Sequence, residues 1–266
     1  EHLILATPDN GVAAAMYAAC KATVKVGDGN EISLHEQTNY PFEETIRFTV
    51  NTPKAVSFPF YLRIPSWTEG ATIFVNGKKV AANPEAGQYA CINREWKDND
   101  QVEIQLPMQL SMRTWQVNKN SVSVDYGPLT MSLKIDEDYV KKDSRATAIG
   151  DSKWQEGADA SQWPTYEIYA KTPWNYALVL GKNEPLQDFK VVHKEWPADN
   201  FPFTVASTPI EVKAIGRKVP SWVIDQYDLC SELPEMDAPK GEKEEITLIP
   251  MGAARLRVSA FPNTRE

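Results

Sequence analysis

The segment Thr172-Pro173-Trp174-Asn175-Tyr176 sets a flat indole, a planar amide and a phenol within three residues at a strand entrance. Aromatic rings stack on C–H faces and amides supply in-plane hydrogen bonds, which suits a polyhydroxylated ligand such as a saccharide. Trp163-Pro164, at the end of a polar stretch, is read as a cap over the same region. Trp174, Asn175, Tyr176 and Trp163 are therefore the carbohydrate-contact candidates. A plainer reading stands beside this one: residues i and i+2 of a strand share a face, so Trp174 and Tyr176 could be core.

Other reactive side chains form no recognisable constellation. His2, His35 and His193 are scattered, and no G-x-S-x-G is present, so a hydrolase triad finds no base and no nucleophile elbow. His35 lies opposite Leu34 in an alternating run and reads as solvent-facing. Gly27-Asp28-Gly29 is a turn with no helix after it, unlike a phosphate loop. Glu43, Glu44, Glu167 and Asp188 could in principle join a glycosidase pair, yet each reads as a strand-edge or loop charge. Asp98-Asn99-Asp100 lacks the Gly and distal Glu of a calcium loop and reads as a hairpin turn between Trp96 and Val102. Cys20, Cys91 and Cys230 have no C-x-x-C spacing and no His nearby, so a zinc-type metal cluster is unsupported and no metal ligands are expected. At most one disulfide could form, and the three thiols are read as buried small hydrophobes.

The elements that would position the aromatic trio are strands. Period-two alternation is clear in Thr45–Val50, Gln101–Leu106, Ser121–Val124 and Arg255–Val258. Val12–Ala19 and Phe58–Ile64 read as more fully buried strands. Asn76-Gly77 between Ala71–Val75 and Lys79-Val80 signals a tight hairpin, because both central residues must accept positive φ. No segment holds a convincing 3.6-residue period. The expected fold is all-β with little helix: two antiparallel β-sandwich, jelly-roll-like domains, residues 1–118 and 119–266. Residues 136–165 are polar and acidic and read as a long loop with one helical turn; 232–245 form a second polar excursion.

The chain has 266 residues, of which 42% are hydrophobic and 24% charged, enough for real cores and unlike a disordered chain. Its net charge of −8 argues against nucleic acid or an anionic membrane surface as a partner. No apolar run is long enough to span a bilayer, and no leader segment opens the sequence. Residue 1 is Glu and a strand-like run, His2–Ala6, follows at once. The expectation is a piece of a longer polypeptide.

An ordered series of phrases resembles a known family. Phe60-Tyr61-Leu62-Arg63-Ile64-Pro65-Ser66-Trp67, Val75-Asn76-Gly77, Arg94-Glu95-Trp96-Lys97-Asp98-Asn99-Asp100, Leu106-Pro107-Met108 and Tyr126-Gly127-Pro128-Leu129 are similar to the carboxy-terminal half of β-L-arabinofuranosidase-type glycoside hydrolases of family 127. Thr172–Tyr176 and the closing Leu248–Arg257 resemble its longer bacterial members, so the likeness runs from about Asn10 to Pro262. The resemblance implies β-sandwiches that follow an (α/α)6 barrel, with catalysis by a zinc-bound Cys in that barrel. The family's adjacent Cys pair has no counterpart here, and Cys20 falls beyond where that motif would lie, so no catalytic residue carries over. It further implies an accessory, non-catalytic role against an N-terminal barrel of the same polypeptide, whose active site the sandwiches could wall. The chain itself would hold no cofactor, oligosaccharide would be its ligand, and the location would be periplasmic or extracellular. An autonomous carbohydrate-binding module and a cell-surface structural or adhesion domain are the alternatives.

Overall fold

In Val56–Arg63, the side chains of Val56, Phe58, Phe60 and Leu62 are buried, while Ser57, Pro59, Tyr61 and Arg63 turn outward. Such alternation puts one face of each strand in a core and the other toward solvent. The same alternation recurs through the strands of the first unit in the computed structural model. The structure describes residues 3–81, 84–147, 153–227 and 229–266; His2 and residues 148–152 of the expected loop lie outside them. Two units are distinguished: Glu1–Leu110 with Tyr126–Leu129, and Ser111–Asp125 with Thr130–Glu266.

The first unit contains β1 (Ile4–Ala6), β2 (Val12–Ala14), β3 (Cys20–Val26), β4 (Asn30–Thr38), β5 (Thr45–Asn51), β6 (Val56–Arg63), β7 (Thr72–Val75), β8 (Lys78–Lys79), β9 (Tyr89–Trp96) and β10 (Asp100–Gln105). They form a four-stranded sheet, β1-β2-β6-β9, and a six-stranded sheet, β3-β4-β5-β10-β7-β8. The two share one core: Phe48 of β5 meets Phe60 of β6 edge-on, ring centroids 5.3 Å apart. This is a sandwich. Asn76 and Gly77 take φ of 49° and 75° between β7 and β8, so the expected hairpin is present.

Three sequence expectations need correction. Phe58–Ile64, expected to be more fully buried, alternates, and of Val12–Ala19 only Val12–Ala14 is strand. The turn after Trp96 is not a hairpin: β9 and β10 belong to different sheets, and the turn carries the chain across the sandwich. Asp100 holds it by accepting from Asn76 Nδ2 at 2.8 Å and from the Lys97 N–H at 2.9 Å. The pairing is also not wholly antiparallel, since β2 runs parallel to β6 with Val12 opposite Phe60. The reason is connectivity: β3 to β5, laid down in the other sheet, intervene between them, so the chain returns by a crossover rather than a hairpin.

The second unit contains β11 (Leu110–Trp115), β12 (Ser121–Tyr126), β13 (Leu129–Leu133), β14 (Glu137–Lys142), a helical turn (Ser144–Thr147), β15 (Thr165–Ala170), β16 (Tyr176–Leu180), β17 (Lys190–His193), β18 (Ile210–Lys218), β19 (Lys243–Pro250) and β20 (Asn263–Arg265). One sheet has the order β11-β12-β13-β19-β18-β16-β20, with β17 also on β18. Val122 of β12 and Phe261, just before β20, exchange two backbone hydrogen bonds of 2.9 Å. The sheet therefore curls until β12 meets the chain leading into β20, and Val124, Met131, Leu178, Leu180, Val212, Leu248 and Phe261 are all buried. A sheet closed on itself buries one face, as two stacked sheets do. The stretch read as a loop is in part a two-stranded ribbon, β14 against β15, with Tyr139 opposite Ile168. Its residues are mostly polar or half-exposed, so it lacked the apolar alternation that marks a strand.

Cys20, Cys91 and Cys230 are free thiols, and Cys91 and Cys230 are exposed rather than buried. Cys91 follows from its register: Ala90 and Ile92 point inward, so the residue between them points out.

Candidate functional site

Thr172–Asn175 is the lead-in to β16, and it is held by its own side chains. Asn175 Nδ2 donates to the carbonyls of Val219 and Trp222, each at 3.1 Å, and the Asn175 carbonyl accepts from the Val219 N–H at 2.8 Å. The amide is thus spent on fixing the 219–222 turn against the strand entrance. Tyr176 is buried at the start of β16, with the Lys218 ammonium 5.8 Å from its ring centroid. Burial, reinforced by Glu244, holds its phenol above the ordinary tyrosine range.

Trp174 is half-buried and stands edge-on to Trp222, centroids 5.1 Å apart at 71°. Its remaining surface lines an open groove of about 510 Å³, with Ile135, Tyr169, Ile224, Cys230 and Val258 as further walls. Ile224 and Cys230 pair as an isolated bridge to make one side, and β15 makes another. Glu167 brings a carboxylate to this groove. Lys142 at 2.8 Å, then the Tyr169 hydroxyl at 2.5 Å, hold it below the usual carboxylate range. Trp163 is 67% exposed and does not line the groove; its carbonyl accepts from the Ser144 hydroxyl at 2.6 Å. Of the four sequence candidates, only Trp174 reaches the groove.

Glu43 and Glu44 also have structural partners. Glu43 accepts from Asn39 Nδ2 at 2.9 Å and Glu44 from the Met108 N–H at 2.7 Å. Among the described residues no three His, Cys, Asp or Glu side chains gather as metal ligands. Sequence reasoning missed Trp222 as the partner of Trp174; the available signal was the phrase Val219-Pro220-Ser221-Trp222, which lodges a second indole at a turn.

Trp174→Ala removes one ring of this pair and enlarges the groove. Because the ring is only half-buried, the expected loss of stability is about 1–2 kcal/mol, below that of a full core tryptophan. A urea midpoint equal to that of the parent would show that the ring does not pack.

Residues 11–108 match the family model described as "Beta-L-arabinofuranosidase, GH127 middle domain". No curated protein matches the chain. Among solved structures, the chain is similar to a GH127 β-L-arabinofuranosidase from Geobacillus stearothermophilus T6, at 21% identity and TM-score 0.62, over 99% of this chain and 35% of that one. It is also similar to a structure described as a glycoside hydrolase, at 22% identity and TM-score 0.59 over 97% of this chain and 36% of that one. A third similar structure is a GH127 β-arabinofuranosidase, at 20% identity and TM-score 0.61, again with 97% and 36% covered. At these identities the likeness is one of fold. The chain spans about a third of the length of these structures.

Proposed function

We propose that this chain is the accessory, non-catalytic β portion of a β-L-arabinofuranosidase-like glycoside hydrolase. On this reading it packs on a helical barrel elsewhere in the polypeptide, walls that barrel's active site, and works outside the cytoplasm. The observation that carries the reading is the combination of a GH127 middle-domain match over residues 11–108 with structural likeness along nearly the whole chain to one third of much longer hydrolases. The carboxylates whose partners are described above are tied up in structural hydrogen bonds, which supports a scaffold rather than a reactive centre. The purified 266-residue chain is expected to release no nitrophenol from p-nitrophenyl β-L-arabinofuranoside above the uncatalysed rate. Turnover that scales with protein concentration and survives repurification would overturn the proposal.

The groove beside Trp174 favours a second reading, an autonomous carbohydrate-binding module, because a half-exposed indole edges an open cavity of about 510 Å³. Titration calorimetry with arabino-oligosaccharides separates the two. Saturable binding that Trp174→Ala abolishes supports the module, and heats that Trp174→Ala leaves unchanged support the accessory role.

A further inference from the structure

The two sheets of the first unit present unlike outer faces. That of the six-stranded sheet is polar, carrying exposed Lys21, Thr23, Lys25, His35, Gln37 and Arg47. Across the four-stranded sheet, Leu5, Ala13, Tyr61 and Cys91 lie in register as one outward row, and Tyr89 is 50% exposed two residues from Cys91. Beside this row Thr7, Pro8, Asp9, Ala13, Tyr61 and Tyr89 line an open hollow of about 530 Å³.

We propose that this hollow binds a neutral saccharide unit, with Tyr89 and Tyr61 as aromatic contacts and Asp9 as the hydroxyl acceptor. Asp9 is pre-placed. The Thr7 hydroxyl donates to its Oδ1, and the Tyr61 hydroxyl donates to its Oδ2 at 2.6 Å. A carboxylate has about four lone-pair positions, so the Thr7 and Tyr61 hydroxyls, with lesser backbone contributions from residues 9 and 11, leave room for an incoming hydroxyl. The Thr7 and Tyr61 bonds, in that order, hold the carboxyl below its ordinary range, which keeps it an ionised acceptor through neutral pH. The turn that carries it fits only glycine at position 11: a Cβ there would sit 2.3 Å from the Pro59 carbonyl oxygen. That close approach seats residues 7–11 against β6 and puts Asp9 beside Tyr61.

The chemistry selects the ligand class. An anionic ligand would be repelled by Asp9. A flat apolar protein partner would bury the remaining lone pairs of a carboxylate without donors, which is costly. A sugar ring offers a C–H face to the tyrosines and hydroxyls to the acid. The site is separate from the Trp174 groove and rests on the proposed function only for the choice of probe.

The test is calorimetric or NMR titration of the 266-residue chain with methyl β-L-arabinofuranoside and a panel of neutral pentose and hexose disaccharides. Saturable binding of at least one is expected. Tyr89→Ala, and separately Asp9→Asn, should weaken it by about tenfold, whereas Lys25→Ala, on the outer face of the six-stranded sheet, leaves it unchanged. Tyr89 is half-exposed, so its variant is expected to keep the parent circular dichroism spectrum. Absence of saturable binding across the panel overturns the proposal. So does binding that survives Tyr89→Ala, or binding lost only in Trp174→Ala. A dimer in sedimentation that Tyr89→Ala dissolves would assign the face to a second copy and overturn it as well. The hydrolysis assay is a separate measurement, so failure here and failure of the accessory reading are distinguishable.

Discussion

Trp96→Ala is expected to destabilise the first unit by about 4 kcal/mol, the largest effect of any single substitution considered. Trp96 closes β9 with its whole side chain out of water. Its indole packs at 5.6 Å from the Phe58 ring and edge-on to Phe60 at 6.0 Å. The indole N–H also donates to the Phe58 carbonyl at 2.9 Å, a buried bond that ties β9 to β6. Truncation to Ala therefore opens a large cavity and removes a hydrogen bond together. Trp96→Phe keeps most of the volume and should cost markedly less. Urea unfolding followed by circular dichroism checks both. A midpoint for Trp96→Ala within error of the parent would show that the ring does not hold this core together.

Glu36→Gln is expected to remove a pH dependence of about 2 kcal/mol that the parent shows between pH 5 and pH 8. Glu36 is fully buried on the inward face of β4, in line with Ile32 and Leu34. Burial pushes its carboxyl up to about 7, only partly offset by hydrogen bonds from the Cys20 thiol and the Ala18 N–H. That N–H lies at 3.0 Å. The sign follows from proton counting. Between the ordinary carboxylate value and about 7, the folded chain binds a proton that the unfolded chain has lost. Stability is therefore full below the ordinary value and falls as pH rises through 7. Gln keeps the shape and one acceptor but cannot ionise, so whatever its own cost, its stability should not carry this slope. Chemical denaturation at pH 5, 6, 7 and 8 reads it directly. A parent that is equally stable at pH 5 and pH 8, or a Gln variant with the same slope, would refute the assignment. The period-two pattern places Glu36 on the Leu34 face, opposite His35, so its inward position is legible from the sequence.

Much of the fold was legible because strand character is local. Alternation in Thr45–Asn51 and Asp100–Gln105, the Asn76-Gly77 turn and the outward His35 each depend on a few neighbouring residues. The β14–β15 ribbon was not legible, since its strands lack an apolar face to declare them.

The candidate site was legible only as a list of residue types. Ring, amide and phenol stand together in Trp174-Asn175-Tyr176, but the partners that decide their roles lie 44 and 47 residues away in the case of Asn175. Trp222 claims one edge of Trp174, Tyr176 belongs to the interior, and Trp163 stands elsewhere. The hollow at Asp9, Tyr61 and Tyr89 likewise draws on three strands and a turn that sequence order separates. By itself the amino-acid sequence determined that this protein is made largely of strands and, in those with clear alternation, which residues face inward, because both follow from near-neighbour sterics and hydrophobic alternation. Which sheet each strand joins, the parallel β2–β6 pair, the Val122–Phe261 closure and which polar groups are already satisfied were decided only in the tertiary structure, because they depend on pairings between residues that only the folded chain brings together.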